Sequence, residues 1–101
     1  MMTLSDVRQR RETIINILGR AGAGNVRVFG SVARGEADER SDVDLLVDLG
    51  DPRPRGFAYF GLIDQLQRDL EQALGRPVHV VDLDDPNLPA ARKIMAEAVP
   101  L

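Results

Sequence analysis

Two stretches decide how this chain reads: Val28-Phe29-Gly30-Ser31-Val32-Ala33-Arg34-Gly35 and, shortly after it, Arg40-Ser41-Asp42-Val43-Asp44-Leu45-Leu46-Val47. The first is a short apolar strand, Val26 to Phe29, running into a turn of small residues. The second is an apolar strand, Val43 to Leu49, opened by two aspartates with one residue between them. Ten residues, 32 to 41, separate the Gly-Ser pair from the first aspartate. Residues two apart on a strand share a face, so the carboxylates of Asp42 and Asp44 are expected to project together. Two hard anionic oxygens side by side suit Mg²⁺, which takes one or two carboxylates and fills its shell with water and phosphate oxygens. Backbone N–H groups exposed at Gly30-Ser31 can hold a phosphate tail. Together these features point to a metal–nucleotide site. Either half alone says less: Gly30-Ser31 could be only a tight turn, and Ser41-Asp42 could only satisfy local backbone donors.

Working outward, Thr3-Leu4-Ser5-Asp6 is a capping-box pattern. Leu4, Val7, Ile14, Ile15 and Leu18 then recur at helical spacing through about residue 19, interrupted by Arg11. Gly19 and Ala21-Gly22-Ala23-Gly24 end that helix. Val32 to Arg34 suits a single helical turn closed by Gly35, and Glu36 to Ser41 a polar loop. The strand from Val43 is nearly all apolar after Asp44, as a central strand covered on both faces would be. Gly50 to Gly56 carries two prolines and reads as a surface loop. Phe60, Ile63, Leu66, Leu70 and Leu74 mark a long helix stopped by Gly75. Pro77 to Asp82 is a third strand, Asp84-Asp85-Pro86-Asn87 a turn, and Ala90 to Ala98 a last helix with Ile94 and Met95 inward. The expected fold is α/β (α+β): a small mixed sheet with helices packed on it, forming one domain over residues 1–101.

Composition narrows the field. A chain of 101 residues suffices for one small core, and 44% hydrophobic with 29% charged residues is a globular balance. The net charge of −3 and pI near 5.0 give no global attraction to nucleic acid or to an anionic membrane. A phosphate-bearing ligand must be drawn locally. The absence of cysteine excludes disulfides, thiolate zinc sites and Cys nucleophiles. No apolar run approaches the roughly 20 residues that span a bilayer, and the expected setting is cytoplasmic.

Gly-Ser, ten residues, then Asp-x-Asp on a following strand resembles the signature of the polymerase-β-like nucleotidyltransferases. Given its length, the chain looks like a minimal nucleotidyltransferase (MNT), the stand-alone catalytic core of that superfamily. The likeness extends to Leu70-x-x-x-Leu74-Gly75-Arg76 and to the closing Glu97-Ala98-Val99-Pro100-Leu101. The resemblance implies Mg²⁺-dependent transfer of a nucleoside monophosphate, AMP from ATP, to a hydroxyl of a protein or RNA acceptor. It implies Asp42 and Asp44 as metal ligands and catalytic carboxylates, and Gly30 and Ser31 around the phosphates. Arg34 would neutralise phosphate charge or pin the loop by pairing with a carboxylate. The resemblance also implies a HEPN-domain partner, this chain being the antitoxin of a toxin–antitoxin pair. A pairing of two copies is open as well.

The family places a third carboxylate on the third strand, as base for the acceptor hydroxyl. Here Gly75-Arg76-Pro77-Val78-His79-Val80-Val81-Asp82 puts His79 there, the one histidine of the chain. An imidazole can accept the proton, although it is a poorer Mg²⁺ ligand than oxygen. Asp82 and Asp84, at odd offsets from His79, fall on the opposite face unless a bulge or the strand's end redirects one. Arg53 and Arg55 read as loop charges. A non-catalytic protein that neutralises its partner by covering it is the competing expectation.

Overall fold

The structure, a computed structural model, describes residues 2–50, 53–85, 88 and 91–101. Its elements run α1 (Leu4–Gln9), α2 (Arg11–Arg20), β1 (Gly24–Phe29), α3 (Gly30–Arg34), β2 (Val43–Asp48), α4 (Phe57–Leu74), β3 (Val78–Asp82), α5 (Ala91–Glu97) and β4 (Val99–Pro100). The sheet order is β3-β2-β1-β4. β2 runs parallel to β3, while β1 is antiparallel to both β2 and β4. This is the mixed sheet with packed helices expected from the sequence. Among the described residues, no helix is long and apolar enough to cross a membrane.

Side-chain parity along the strands sorts two faces. Val28, Val43, Leu45, Val47, Val78 and Val80 enter the main core with Val7, Ile14 and Leu18 of the leading helices and Leu66, Leu70 and Leu74 of α4. Phe29, Leu46 and Val81 form a second cluster on the other face, against Leu88, Ile94 and Ala98. β2 is therefore central and covered on both sides, as its near-continuous apolar run requires.

Several boundaries differ from the sequence reading, each for a local reason. The leading helix is two helices broken at Arg10, where φ is −100° and ψ 14°. Six successive polar residues, Arg8 to Thr13, offer no apolar contact to carry the helix straight through. The capping box is present, with Asp6 N–H donating to Thr3 Oγ1 at 3.1 Å and Thr3 N–H to Asp6 Oδ2 at 2.9 Å. Ile15 and Met95 are exposed rather than inward. Each adjoins a residue that does pack, Ile14 or Ile94, and neighbours on a helix point about 100° apart. Phe60 is also exposed, ahead of Leu66, the first buried residue of α4. β4 carries no strand signal in the sequence: two residues with a proline resemble no strand, yet Val99 pairs with Val28 at the sheet's edge, where a proline is tolerated. Asp51 and Pro52 of the expected loop, Pro86 and Asn87 of the expected turn, and Ala90 lie outside the described residues.

Candidate active site at the β1–α3 corner

The sheet register brings three residues into one row. Phe29, the last residue of β1, pairs with Asp44, and Asp44 pairs with His79 of β3. His79 Nδ1 lies 3.5 Å from Asp44 Oδ1. The Asp44 side chain retains 22% of its exposure and that of His79 60%, so the row opens to solvent at the histidine. The two residues come from parallel neighbouring strands separated in sequence by all of α4.

At the end of β1 the chain turns abruptly into α3. Gly30 sits at φ +73°, in the left-handed region that L side chains rarely adopt. The Asp44 carboxylate occupies the space where a Cβ on Gly30 would stand. Glycine is thus required twice, by backbone angle and by contact with the aspartate. Gly35, at φ 73°, closes α3 in the same region.

Asp42 lies just ahead of β2 at an exposed position. The hydrogen bonds of the preceding turn run through other residues: Asp38 N–H donates to Ser41 Oγ at 2.9 Å and Arg40 N–H to Asp38 Oδ1 at 2.8 Å. Burial pushes the Asp44 carboxyl above its ordinary range; the charges of Asp42 and Glu97 push the same way, while His79 opposes them. Burial is thus the main cost of keeping Asp44 ionised, and the neighbouring carboxylates add to it.

Arg34 donates from Nη1 to Glu97 Oε2 at 2.9 Å and from Nε to Glu36 Oε2 at 3.0 Å. Of the two roles open to it, this geometry is that of pinning. Glu97 lies far along the chain from both sequence motifs. Its Oε1 accepts the Gly30 N–H at 2.9 Å, so that donor faces a carboxylate of the protein itself. The Gly30 amide, and after it Arg34, hold the Glu97 carboxyl below its ordinary range. No spacing rule could have found a contact 67 residues apart in the chain.

Asp82 stays out of the row. The β2–β3 ladder is regular through Val47 and Asp82, so Asp82 keeps the parity of Val78 and Val80 and faces away from His79. It is buried against the Arg53 guanidinium and accepts from Tyr59 Oη at 3.1 Å. Arg53 is thus a structural partner of a buried carboxylate and more than a loop charge. Asp84 lies beyond the strand and donates its N–H to Asp82 Oδ1 at 2.9 Å. Beside His79 a cleft of about 430 Å³ opens, with Phe29, Phe60, Ile63, Val81 and Ile94 in its wall.

Residues 11–100 match the nucleotidyltransferase domain. The chain belongs to the nucleotidyltransferase family. A protein of Methanocaldococcus jannaschii, provisionally named a protein adenylyltransferase, is 33% identical to this nucleotidyltransferase over 98 residues, 97% of each chain. A solved structure provisionally described as a minimal nucleotidyltransferase superposes with a TM-score of 0.79 at 40% identity, covering 99% of this chain and 97% of the other. A crystal structure of a toxin–antitoxin with AMP-PNP superposes with a TM-score of 0.71 over 88% of this chain and 69% of the other. At 22% identity that likeness is one of fold. This nucleotidyltransferase is accordingly an enzyme of the minimal architecture: a four-stranded mixed sheet with five helices among the described residues.

Proposed function

We propose that this nucleotidyltransferase transfers AMP from ATP to a hydroxyl of a protein or RNA acceptor, and that it is the antitoxin partner of a HEPN-domain protein. The observation that carries the reading is the Asp44 carboxylate seated over Gly30, with His79 at 3.5 Å. The M. jannaschii relative's name supports a protein acceptor, and the fold shared with a toxin–antitoxin component supports the biological pairing. The HEPN partner rests on the family resemblance.

The donor set fits Mg²⁺. Asp42 and Asp44 supply hard oxygens, and the raised Asp44 carboxyl marks charge that a cation would offset. Among the described residues, no group of three or more acidic or histidine side chains is arranged to hold a metal. Two protein carboxylates leave the rest of the shell to phosphate and water, which is how Mg²⁺ is usually held. Bound there, Mg²⁺ would neutralise the charge that develops on the phosphate oxygens.

The chain's own residues divide the remaining work. Gly30, lacking a side chain, permits close approach, and the Ser31 hydroxyl and N–H hold phosphate oxygens. Arg34 keeps α3 in place. In the transfer, the acceptor oxygen bonds to the α-phosphorus as the bond to the bridging oxygen of the β-phosphate breaks, and pyrophosphate leaves. His79 takes the acceptor's proton.

A second reading is favoured by one observation: histidine stands where the family carries a carboxylate, and imidazole is a poor Mg²⁺ ligand. On that reading the chain neutralises its partner by covering it. Incubation of the chain and its partner with labelled ATP and Mg²⁺ separates the two. Label on the partner, lost in Asp42→Asn and Asp44→Asn, is the outcome expected of the enzyme, and His79→Asp should raise it. Neutralisation that survives both aspartate substitutions, without label, establishes the covering protein.

A further inference from the structure

Glu97 stands apart from the residues that the motif singles out, yet one carboxylate grips both ends of α3. Oε1 accepts the N–H of Gly30, the first residue of that helix, at 2.9 Å. Oε2 accepts Arg34 Nη1, at its last residue, also at 2.9 Å. The side chain retains only 21% of its exposure. Glu97 ends α5, and the next residues but one form β4, which is bonded to β1 at Val28 and Arg27. The carboxylate is therefore held from behind by the sheet itself. In front of it, Gly30 has the Asp44 carboxylate packed against its Cα, so any shift of Gly30 moves the glycine relative to Asp44.

We propose that Glu97 is a positioning residue of the nucleotide site: it fixes the Gly30–Arg34 corner against Asp44. The inference rests on the nucleotidyl-transfer reading above and assigns to the C-terminal helix a duty inside that site. Glu97 acts through Gly30 and Arg34 and touches no reacting atom. Metal ligation is not its part, because both of its oxygens are engaged, Oε1 by the Gly30 N–H and Oε2 by Arg34 Nη1. The contact with Gly30 needs one acceptor oxygen, whereas the contact with Arg34 joins two opposite charges and needs the second oxygen as well. An amide at position 97 keeps the first and loses the second, because its NH2 would face the Arg34 N–H donor to donor. An alanine loses both.

The test compares the full chain with Glu97→Gln and Glu97→Ala in ATP-dependent labelling of the partner, alongside binding of a non-hydrolysable ATP analogue with Mg²⁺. Melting temperature and the amide NMR signal of Gly30 are recorded for each. Misplacement of the corner in Glu97→Ala should raise KM for ATP about tenfold and weaken the analogue to a similar extent, with kcat changed less than about threefold. Glu97→Gln should recover most of that loss and keep the Gly30 amide shift near the parent value. A Glu97→Ala protein that folds and keeps the parent KM overturns the inference and leaves the transfer reading standing. Tighter analogue binding in Glu97→Ala also overturns it, since the carboxylate would then be competing with phosphate for the Gly30 amide. If the parent chain neither binds the analogue nor labels the partner, the transfer reading itself fails, and this inference with it.

Discussion

Gly30 and Asp44 illustrate how one residue can be required by another far from it in the chain. A methyl group at position 30 would meet the Asp44 carboxylate and would also be strained at φ +73°. Gly30→Ala should therefore reduce labelling on the order of 100-fold while leaving most of the fold intact, as circular dichroism would report. Normal turnover in that variant would show that the aspartate has room to move without consequence. The ionised Asp44 carboxylate is held in the fold at some expense of stability. Its folded carboxyl lies above the ordinary value of 3.8, so the native state binds that proton more tightly than the unfolded chain. Its contribution to stability thus falls as pH rises from about 3.8 through the raised value, and the penalty is complete at neutral pH. Asp44→Asn should melt at or above the parent at pH 7 although transfer is lost, with the difference closing in acid. Melting well below the parent at pH 7 would mean that the carboxylate supports the fold.

At the scale of elements, β3 poses a problem that α4 solves. β3 is an outer strand of the sheet, and alternate N–H groups point away from β2. Two of these are satisfied from α4: Val78 N–H donates to Glu71 Oε2 at 3.1 Å and Val80 N–H to Gln67 Oε1 at 3.0 Å. Gln67 and Glu71 are one helical turn apart, and the spacing lets a single helix cover successive outward donors. An open edge invites pairing with another chain. The double variant Gln67→Ala, Glu71→Ala should lose about 1–3 kcal/mol in denaturant unfolding, from two donors left without acceptors. It should also show concentration-dependent association by light scattering; a variant that stays monomeric would assign edge protection to some other feature. The sequence announced α4 through its leucine spacing, but Gln67 and Glu71 look there like ordinary polar residues. Their role exists only because β3 lies beside them.

For the whole molecule, α4 also presents Phe57 and Phe60 to solvent, at 97% and 69% exposure, and Phe60 borders the cleft that holds His79. Large apolar side chains placed this way are unusual on a surface with no partner. Phe57→Ser with Phe60→Ser should leave the melting temperature within a few degrees while lowering labelling of the partner about tenfold or more. Unchanged labelling would place the acceptor's contact elsewhere.

Much of this protein is legible in its sequence. Hydrophobic periodicity and glycine positions carried the main strands and α4, because burial forces apolar side chains into a period of two or 3.6. The nearness of the Gly30 corner to Asp44 could be read from spacing, since the corner and the strand are near neighbours in the chain. What spacing could not carry was every contact closed by tertiary packing: the Asp44–His79 pair across parallel strands, Asp82 buried against Arg53 and Tyr59, β4 at the edge, and Glu97 on Gly30. These join residues about 20 to 70 positions apart. A local pattern encodes which face a side chain takes; the partner it meets there is set by how the sheet and helices assemble.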